Sequence, residues 1–241
     1  MRAIVCTLLF FIQISLNYGA FPLIQYKCWI WDSACLTARA QAVTPILTAG
    51  IPEIATERLD PMFIDLVHVE DREGLQFDMR NVYIEGLKRA TIDKVSVDMN
   101  SRIMRLAFHA DFSIKSSYTA SGYLFSLPII GHGNFAMKYD DVLIDMIIPF
   151  EITKDTQGKN IMNLKEYQYW YDVRGGGQFN LGDLYYKDTV TSERMHAIIN
   201  QKWKTFSVLY GRFMFDKIND KIFNAIRTYI RSQSLDNIVF Y

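Results

Sequence analysis

The sequence predicts an α+β fold in which a strongly curved antiparallel sheet wraps around a long C-terminal helix, with a short N-terminal helix. Three observations support this prediction. Apolar residues recur at steps of three and four from residue 193 to 231, and they alternate with polar residues in segments from 59 to 186. Short turn signals separate those alternating segments, which favours an antiparallel meander over parallel strands with crossover helices.

The predicted C-terminal helix, Glu193 to Arg231, would be about 55 Å long. Ser192 is a suitable N-cap, and Gly211 near the middle predicts a bend or a close approach. Because a helix of this length exposes a long apolar stripe, extended structure must wrap around it. The stripe consists of Ile199, Trp203, Phe206, Tyr210, Phe213, Met214, Ile218, Ile222, Ile226, Tyr229 and Ile230.

The alternation that predicts strands is clearest in residues 104–114, and it recurs in 144–152, 123–129 and 167–173. Between Leu75 and Ile84 the apolar parity changes after Met79, which predicts a β-bulge. The glycine-rich segments 131–133 and 174–177 are typical of turns.

The first 20 residues have the pattern of a signal peptide. Arg2 precedes an apolar run from Ala3 to Leu16, and small residues follow at Gly19 and Ala20. We therefore expect residues 1–20 to be removed and residues 21–241 to form a single extracellular domain. In that domain, Asp32 or Ser33 would cap the short N-terminal helix, which Gly50-Ile51-Pro52 would end.

Cleavage of the signal peptide would leave two cysteines, Cys28 and Cys35. An even pair in a secreted chain is typical of a disulfide, and a bridge across so short a loop would contribute about 2.5 kcal/mol. The alternative is half of a zinc site, which would need ligands from His68, His109, His132 or His196. None of these histidines has the spacing of a metal site, so we expect no metal.

The sequence contains no pattern that predicts catalysis. It lacks the Gly-x-Ser-x-Gly motif of hydrolases, and Gly175-Gly176-Gly177 is not followed by the Lys of a phosphate-binding loop. His109 alternates with the apolar face of its strand, so it is predicted to be exposed or hydrogen-bonded. The chain has 26 basic and 26 acidic residues, which disfavours nucleic acid. We expect no enzymatic activity and no cofactor.

A sheet curled around a helix leaves space where the two diverge, and Met, Phe, Ile and Tyr side chains would line it. Such an elongated cavity suits a hydrophobic small molecule, although a solid core would show the same residues. The hydroxyls of Tyr167, Tyr169 and Tyr171 could bind a ligand's polar head or reach water. The candidate ligand-binding residues are Met104, Leu106, Phe108, Phe112, Ile144, Met146, Ile148, Trp203, Phe206, Tyr210 and Phe213.

An alternative function uses the charge of the C-terminal helix. Eight basic residues outnumber three acidic ones between Glu193 and Arg231. A basic amphipathic helix can lie on an anionic membrane or contact a receptor, although such residues also form ordinary solvated surfaces. A transient membrane or receptor contact by a monomer is therefore the alternative hypothesis.

Several short motifs, in this order, are similar to those of a known family. They are Cys28-Trp-Ile-Trp-Asp-Ser-Ala-Cys35, Pro45-Ile-Leu-Thr-Ala-Gly50-Ile-Pro52-Glu53-Ile54, Leu59-Asp60-Pro61, Arg80-Asn-Val-Tyr-Ile-Glu-Gly86-Leu87 and Gly122-Tyr-Leu-Phe-Ser-Leu-Pro128-Ile-Ile-Gly131-His-Gly133-Asn-Phe135, followed by Trp203 in the long C-terminal helix. Over nearly its whole mature length the chain resembles the insect takeout and haemolymph juvenile hormone-binding protein family, within the tubular lipid-binding superfamily.

The resemblance implies a secreted carrier of terpenoid hormones or fatty-acid-like lipids, with the curved sheet and long helix already predicted. It also implies a disulfide between Cys28 and Cys35 near the mouth of the cavity. Some hormone-binding members carry a second cysteine pair later in the chain. This sequence has none there, so it is more similar to the takeout proteins.

Overall fold

Residues 27–241, which the computed structural model describes, form nine strands and four α-helices. The signal peptide predicted over residues 1–20 lies outside this range. The helices are α1 (Ser33–Ala49), α2 (Thr189–Gln201), α3 (Trp203–Arg231) and α4 (Leu235–Ile238). The strands are β1 (Cys28–Trp29), β2 (Met62–Glu70), β3 (Gln76–Glu85), β4 (Thr91–Asp98), β5 (Ile103–Leu124), β6 (Leu127–Lys154), β7 (Asn160–Leu164), β8 (Gln168–Leu181) and β9 (Val239–Phe240).

The curved antiparallel sheet is built on two very long strands, β5 and β6, which pair along their whole lengths. One edge of β5 pairs with β4 and then with β3, and β2 continues the sheet beyond β3. The outer edge of β6 pairs with β8 and β7. The fold class predicted from the sequence is therefore confirmed, including the long C-terminal helix and the short N-terminal helix.

A two-residue hairpin joins β5 to β6, and the strand predicted over 123–129 is therefore wrong. Phe125 and Ser126 have φ values of 53° and 63°. Positive φ at both central residues is typical of the tight turns that join two strands of a hairpin. The prediction was wrong because the apolar alternation continues through the turn and gives no sign that the chain reverses there. Tyr123 and Leu127, predicted to face the core, are exposed, whereas Leu124 is buried.

Bulges bend the long strands. The bulge predicted from the parity change is confirmed, because the pairing of β3 with β5 shifts register between Arg80 and Tyr83. The turns predicted at 131–133 and 174–177 are wrong, since these segments lie inside β6 and β8. Glycine is needed in the second segment, where the register shifts: a Cβ on Gly175 would lie 2.9 Å from the carbonyl oxygen of Asp140.

The C-terminal helix predicted as continuous is divided at Lys202. Its N-cap is Asp188, not Ser192: the Asp188 side chain accepts a hydrogen bond from the backbone N–H of Thr191 at 3.1 Å. The Ser192 hydroxyl instead donates to the carbonyl of Leu184. Lys202, with φ −98° and ψ 22°, separates α2 from α3, and α3 alone is about 43 Å long.

The apolar stripe of α3 packs against the concave side of the sheet, contacting β2, β7 and β8. The close approach predicted at Gly211 is confirmed, because a Cβ there would lie 2.7 Å from the Tyr171 hydroxyl oxygen. The buried residues of α3 are Ser207, Tyr210, Gly211, Met214, Phe215, Ile218, Asn219, Ile222, Phe223 and Ala225.

The N-terminal helix α1 covers the outer edge of β4. The Gln41 side chain donates to the Ala90 carbonyl at 3.0 Å and accepts from the Ile92 N–H at 2.7 Å. Thr37 accepts from the Val95 N–H at 2.8 Å. An edge strand covered in this way cannot pair with another chain, and α1 is held at a fixed distance from the sheet.

Candidate functional site

An apolar cavity of about 200 Å³ lies between α1, β4, β5 and the C-terminal part of α3. We call it the disulfide-end cavity, because it is next to the bond that joins Cys28 to Cys35. Its lining is almost entirely hydrocarbon. The lining residues are Ile30, Leu36, Arg39, Ala40, Val43, Thr44, Leu47, Ile92, Val95, Val97, Met104, Leu106, Met162, Ile226, Tyr229, Ile230, Gln233, Leu235, Ile238 and Val239.

The Cys28–Cys35 disulfide, which confirms the predicted pairing, fixes the wall of this cavity. It joins β1 to α1, and β1 pairs in parallel with β9 near the C-terminus. Between the exposed Trp29 and Trp31, Ile30 turns inward and lines the cavity. The disulfide therefore holds one wall of the cavity against both α1 and the C-terminal segment.

A few polar groups also line the disulfide-end cavity. The Arg39 guanidinium donates a hydrogen bond to the Ile238 carbonyl, which ties α1 to α4. Burial raises the pKa of the Tyr229 hydroxyl, while the nearby positive charge of Arg39 opposes that rise. These groups could orient the polar end of a mainly apolar ligand.

The second cavity lies at the other end of α3, beside the β5–β6 hairpin, and its volume is about 30 Å³. We call it the hairpin-end cavity. It is lined by Val69, Leu75, Phe77, Met79, Leu124, Ile129, Phe135, Met137, Tyr139, Phe179, Leu181, Ile199, Phe206, Tyr210, Gly211 and Met214.

A layer of packed rings separates the two cavities, so the single elongated cavity predicted from the sequence is divided. Phe215 on α3 is fully buried there, with ring centroids 6.2 Å from Phe112, 6.0 Å from Tyr139 and 4.4 Å from Tyr171. Met214 lines the hairpin-end cavity and Ile226 lines the disulfide-end cavity. These two residues are about 18 Å apart along α3.

The structure distributes the eleven predicted ligand-binding residues over four environments. Met104 and Leu106 line the disulfide-end cavity, and Phe206 and Tyr210 line the hairpin-end cavity. Trp203 is partly buried against the core, and Phe213 is 36 % exposed; neither lines a cavity. The remaining five are buried in the core without lining either cavity: Phe108, Phe112, Ile144, Met146 and Ile148.

The prediction missed the contribution of α1 to the disulfide-end cavity. Leu36, Ala40, Val43 and Leu47 all line it, at steps of four, three and four, which is the spacing of one helix face. The signal was therefore present in the sequence. The spacing alone does not show which part of the sheet α1 covers.

The hydroxyls of the tyrosine row on β8 are hydrogen-bonded to α3. The Tyr167 hydroxyl donates to the Asp220 carboxylate at 2.7 Å, and Tyr169 donates to Asp216 at 2.5 Å. The Tyr171 hydroxyl donates to the Ser207 carbonyl at 2.8 Å. These three bonds fix the register of the helix against the sheet.

Ionisation of partly buried tyrosines should destabilise the protein in alkali. The Tyr210 hydroxyl on α3 likewise donates to the Asp71 carboxylate at 2.7 Å. Burial, and then the hydrogen bond to a carboxylate, raise the pKa of Tyr167, Tyr169 and Tyr210 well above the usual range. Unfolded tyrosine ionises near pH 10, so this stability is complete below about pH 10 and decreases as the pH rises further.

We expect the urea midpoint to fall as the pH is raised through 10. Tyr169→Phe should make that decrease shallower, whereas Tyr83→Phe, at an exposed position, should leave it unchanged. Equal slopes for wild type and both variants would refute this explanation.

Several polar side chains outside the cavities are paired. His109 is hydrogen-bonded as predicted, with Nδ1 at 2.8 Å from Asp93. On the basic helix, Lys221 pairs with Glu57, and Arg212 lies 3.6 Å from Asp216. Among residues 27–241, no cluster of three or more His, Cys, Asp or Glu side chains could hold a metal ion. No helix in the same range is long and apolar enough to cross a membrane.

The chain is similar to several known proteins. The crystal structure of Takeout 1 from Epiphyas postvittana superimposes with a TM-score of 0.86 at 32% identity, covering 89% of this chain and 99% of that one. The circadian clock-controlled protein daywake of Drosophila melanogaster is 24% identical over 223 residues, 86% of this chain and 83% of that protein. The juvenile hormone-binding protein of Manduca sexta is 30% identical over 89 residues, 36% of this chain and 39% of that protein.

The profile of the haemolymph juvenile hormone binding protein family matches residues 5–239, almost the whole sequence. The match includes the strands, the long helix and the cysteine pair that enclose the disulfide-end cavity. The chain therefore belongs to the haemolymph juvenile hormone binding protein family.

Proposed function

We propose that this protein is a secreted carrier that binds a hydrophobic small molecule, a juvenile-hormone-like terpenoid or a fatty-acid-like lipid, in the disulfide-end cavity. The observation that carries the proposal is the cavity itself: about 200 Å³ between sheet and helix, with an almost purely hydrocarbon lining. The named function of the Manduca sexta relative and the family match support the same class of ligand.

Binding would be driven by burial of apolar surface, at roughly 25 cal/mol per Å² before the cost of association. Met104 and Leu106 would contact the ligand from the sheet, and α1 and α3 would contact it from the other sides. No chemical step is required, since a carrier only has to shield its ligand from water and release it.

A substitution that fills the disulfide-end cavity should block binding. Ala40 on α1 lines the cavity, so Ala40→Phe would occupy the space that the ligand needs. We expect the affinity for a fluorescent fatty-acid probe, or for a terpenoid that displaces it, to fall at least about tenfold, which corresponds to ~1.4 kcal/mol.

The matched control is Ala38→Phe, two residues earlier on the same helix, at an exposed position that does not line this cavity. It should bind the probe like wild type. Absence of saturable binding by the wild-type protein would contradict the proposed function. Equal binding by wild type and both variants would place the ligand elsewhere.

A further inference from the structure

Four exposed aromatic side chains lie together beside the disulfide: Trp29, Trp31, Phe240 and Tyr241. Each is between 44 % and 65 % exposed. The indole rings of Trp29 and Trp31 stack with their centroids 4.7 Å apart, and the Trp29 ring lies 5.0 Å from that of Phe240. We call these four residues the aromatic patch. Contiguous exposed apolar surface of this kind marks a site of contact with another molecule or with a membrane.

The backbone that carries the patch also forms a wall of the disulfide-end cavity. Side chains alternate along the paired strands β1 and β9. Ile30 and Val239 are buried and line the cavity, whereas Trp29 and Phe240 are exposed. The Ile30 N–H donates to the Phe240 carbonyl at 2.8 Å, which holds the two segments together. The patch and the cavity are therefore on opposite sides of one short sheet.

Three lysines lie beside the aromatic patch. The Asn160 side chain donates to the Tyr241 hydroxyl at 2.9 Å, which places the β6–β7 hairpin next to the patch. Lys154 is the cross-strand partner of Asn160, and Lys159 precedes Asn160 in the chain; both lysines are exposed. The third is Lys27, whose Nζ lies 5.3 Å from the centroid of one ring of the patch.

The acidic side chains of this region are engaged by donors of the protein itself. Asp32 caps α1, Asp155 accepts from two N–H groups of its own turn, and Asp236 accepts from the hydroxyl of Tyr241. The two hairpin lysines form no ion pair with any side chain described in residues 27–241. The charges at the patch that still lack a partner are therefore positive.

This combination matches the headgroup region of a lipid bilayer. Tryptophan and tyrosine are enriched at that depth, because their rings are apolar and their N–H and O–H groups reach water. Lysines next to them attract anionic lipids. A second copy of the chain fits less well, since a stable protein interface uses about 20–30 residues a side. The patch offers four exposed rings.

We infer that the aromatic patch docks this protein on an anionic lipid bilayer, with the rings in the headgroup layer and the lysines beside lipid phosphates. Docking would bring the disulfide-end cavity to the membrane, where an apolar ligand can pass between bilayer and protein with little exposure to water. This purpose rests on the proposed carrier function, but docking itself requires no ligand.

The first test mixes ligand-free protein with vesicles of brominated phosphatidylcholine and phosphatidylserine and follows tryptophan fluorescence. Wild type should be quenched, and added sodium chloride should reduce the quenching because it screens the lysines. Trp29→Ser/Trp31→Ser should bind vesicles at least about tenfold more weakly in a sedimentation assay. The matched control is Trp170→Ser, which removes a 57 % exposed tryptophan from β8 and should bind like wild type.

The second test reverses the charge of the hairpin lysines. Lys154→Glu/Lys159→Glu should lower the affinity for vesicles that contain phosphatidylserine at least about tenfold, and should change binding to pure phosphatidylcholine less. The control is Lys115→Glu/Lys138→Glu, which reverses two exposed lysines in the middle of β5 and β6. It should bind like wild type, although its net charge changes equally.

Circular dichroism and the affinity for a fluorescent fatty-acid probe in solution check the fold, and every variant should match wild type in both. If the double tryptophan variant unfolds, Trp31→Ser alone, at a 65 % exposed position, provides the same comparison. Absence of quenching, or vesicle binding that survives the tryptophan substitutions, would overturn the inference.

Two further outcomes separate this inference from its alternatives. Self-association of wild type without vesicles, abolished by Trp29→Ser/Trp31→Ser, would make the patch a dimer interface and overturn membrane docking. Saturable probe binding without vesicle binding would defeat this inference alone. Vesicle binding without probe binding would confirm docking and defeat the proposed carrier function.

Discussion

Phe215→Ala should lower the free energy of unfolding by about 3–5 kcal/mol, the usual cost of removing a buried aromatic side chain. Phe215 is fully buried and packs against the rings of Phe112, Tyr139 and Tyr171, which come from three different strands. Because these strands are held by hydrogen bonds, they cannot close around the space that the ring leaves. Urea denaturation followed by circular dichroism measures the loss.

Phe213→Ala is the control for this prediction. Phe213 lies two residues earlier on α3, carries the same side chain, and is 36 % exposed. Its removal should cost about 1 kcal/mol or less. Similar losses for the two variants would mean that Phe215 is not the centre of the layer between the cavities. A crystal structure of Phe215→Ala should show the two cavities closer to continuity.

Gly86→Ala should cost about 2–6 kcal/mol, through backbone strain and a steric clash together. Gly86 has φ 131°, a conformation that residues with a side chain rarely adopt. A Cβ at this position would lie 1.8 Å from the carbonyl oxygen of Asp111 on β5. Since both groups belong to the backbone, neither can rotate away. Thermal and urea denaturation, or failure to obtain folded protein, report the effect.

The clash would also disturb a contact between two of the sequence motifs. The buried Asp60 carboxylate accepts hydrogen bonds from the N–H groups of Gly86 at 3.1 Å and Lys88 at 2.8 Å. The segments around Asp60 and Gly86 are therefore held together by these bonds.

Gly158→Ala separates the two contributions. Gly158 also has a positive φ, 78°, but nothing lies within 4 Å of a Cβ built there. Gly158→Ala should lower the free energy of unfolding only through backbone strain, by about 1–2 kcal/mol. If Gly86→Ala lowered the free energy of unfolding no more than Gly158→Ala does, the close approach to Asp111 would not contribute to stability, and the explanation would be wrong.

Features with a local periodic signal could be predicted from the sequence. The apolar stripe of α3 and the bulge after Met79 follow from side-chain spacing alone, because each depends on neighbours within a few residues. The break at Lys202 has no such signal, since neither proline nor glycine lies beside it. The hairpin at Phe125 was hidden for a related reason, as its residues continue the alternating pattern.

The candidate site was harder to predict, because its geometry depends on contacts between elements distant in sequence. Tyr169 meets Asp216 only because β8 and α3 have one particular register. Phe112 was predicted to line the cavity, but its ring packs against Phe215 instead, and this contact also joins distant parts of the chain. Composition indicates that the interior is apolar, but not which parts of it remain unfilled.

The most direct test of the carrier function is to locate a bound apolar molecule by anomalous diffraction from crystals grown with bromododecane. The proposal predicts a bromine peak inside the disulfide-end cavity, within about 4.5 Å of side chains such as Ala40, Val95 and Ile226. A bromine found only on the outer surface, with the cavity closed by its own side chains, would contradict it.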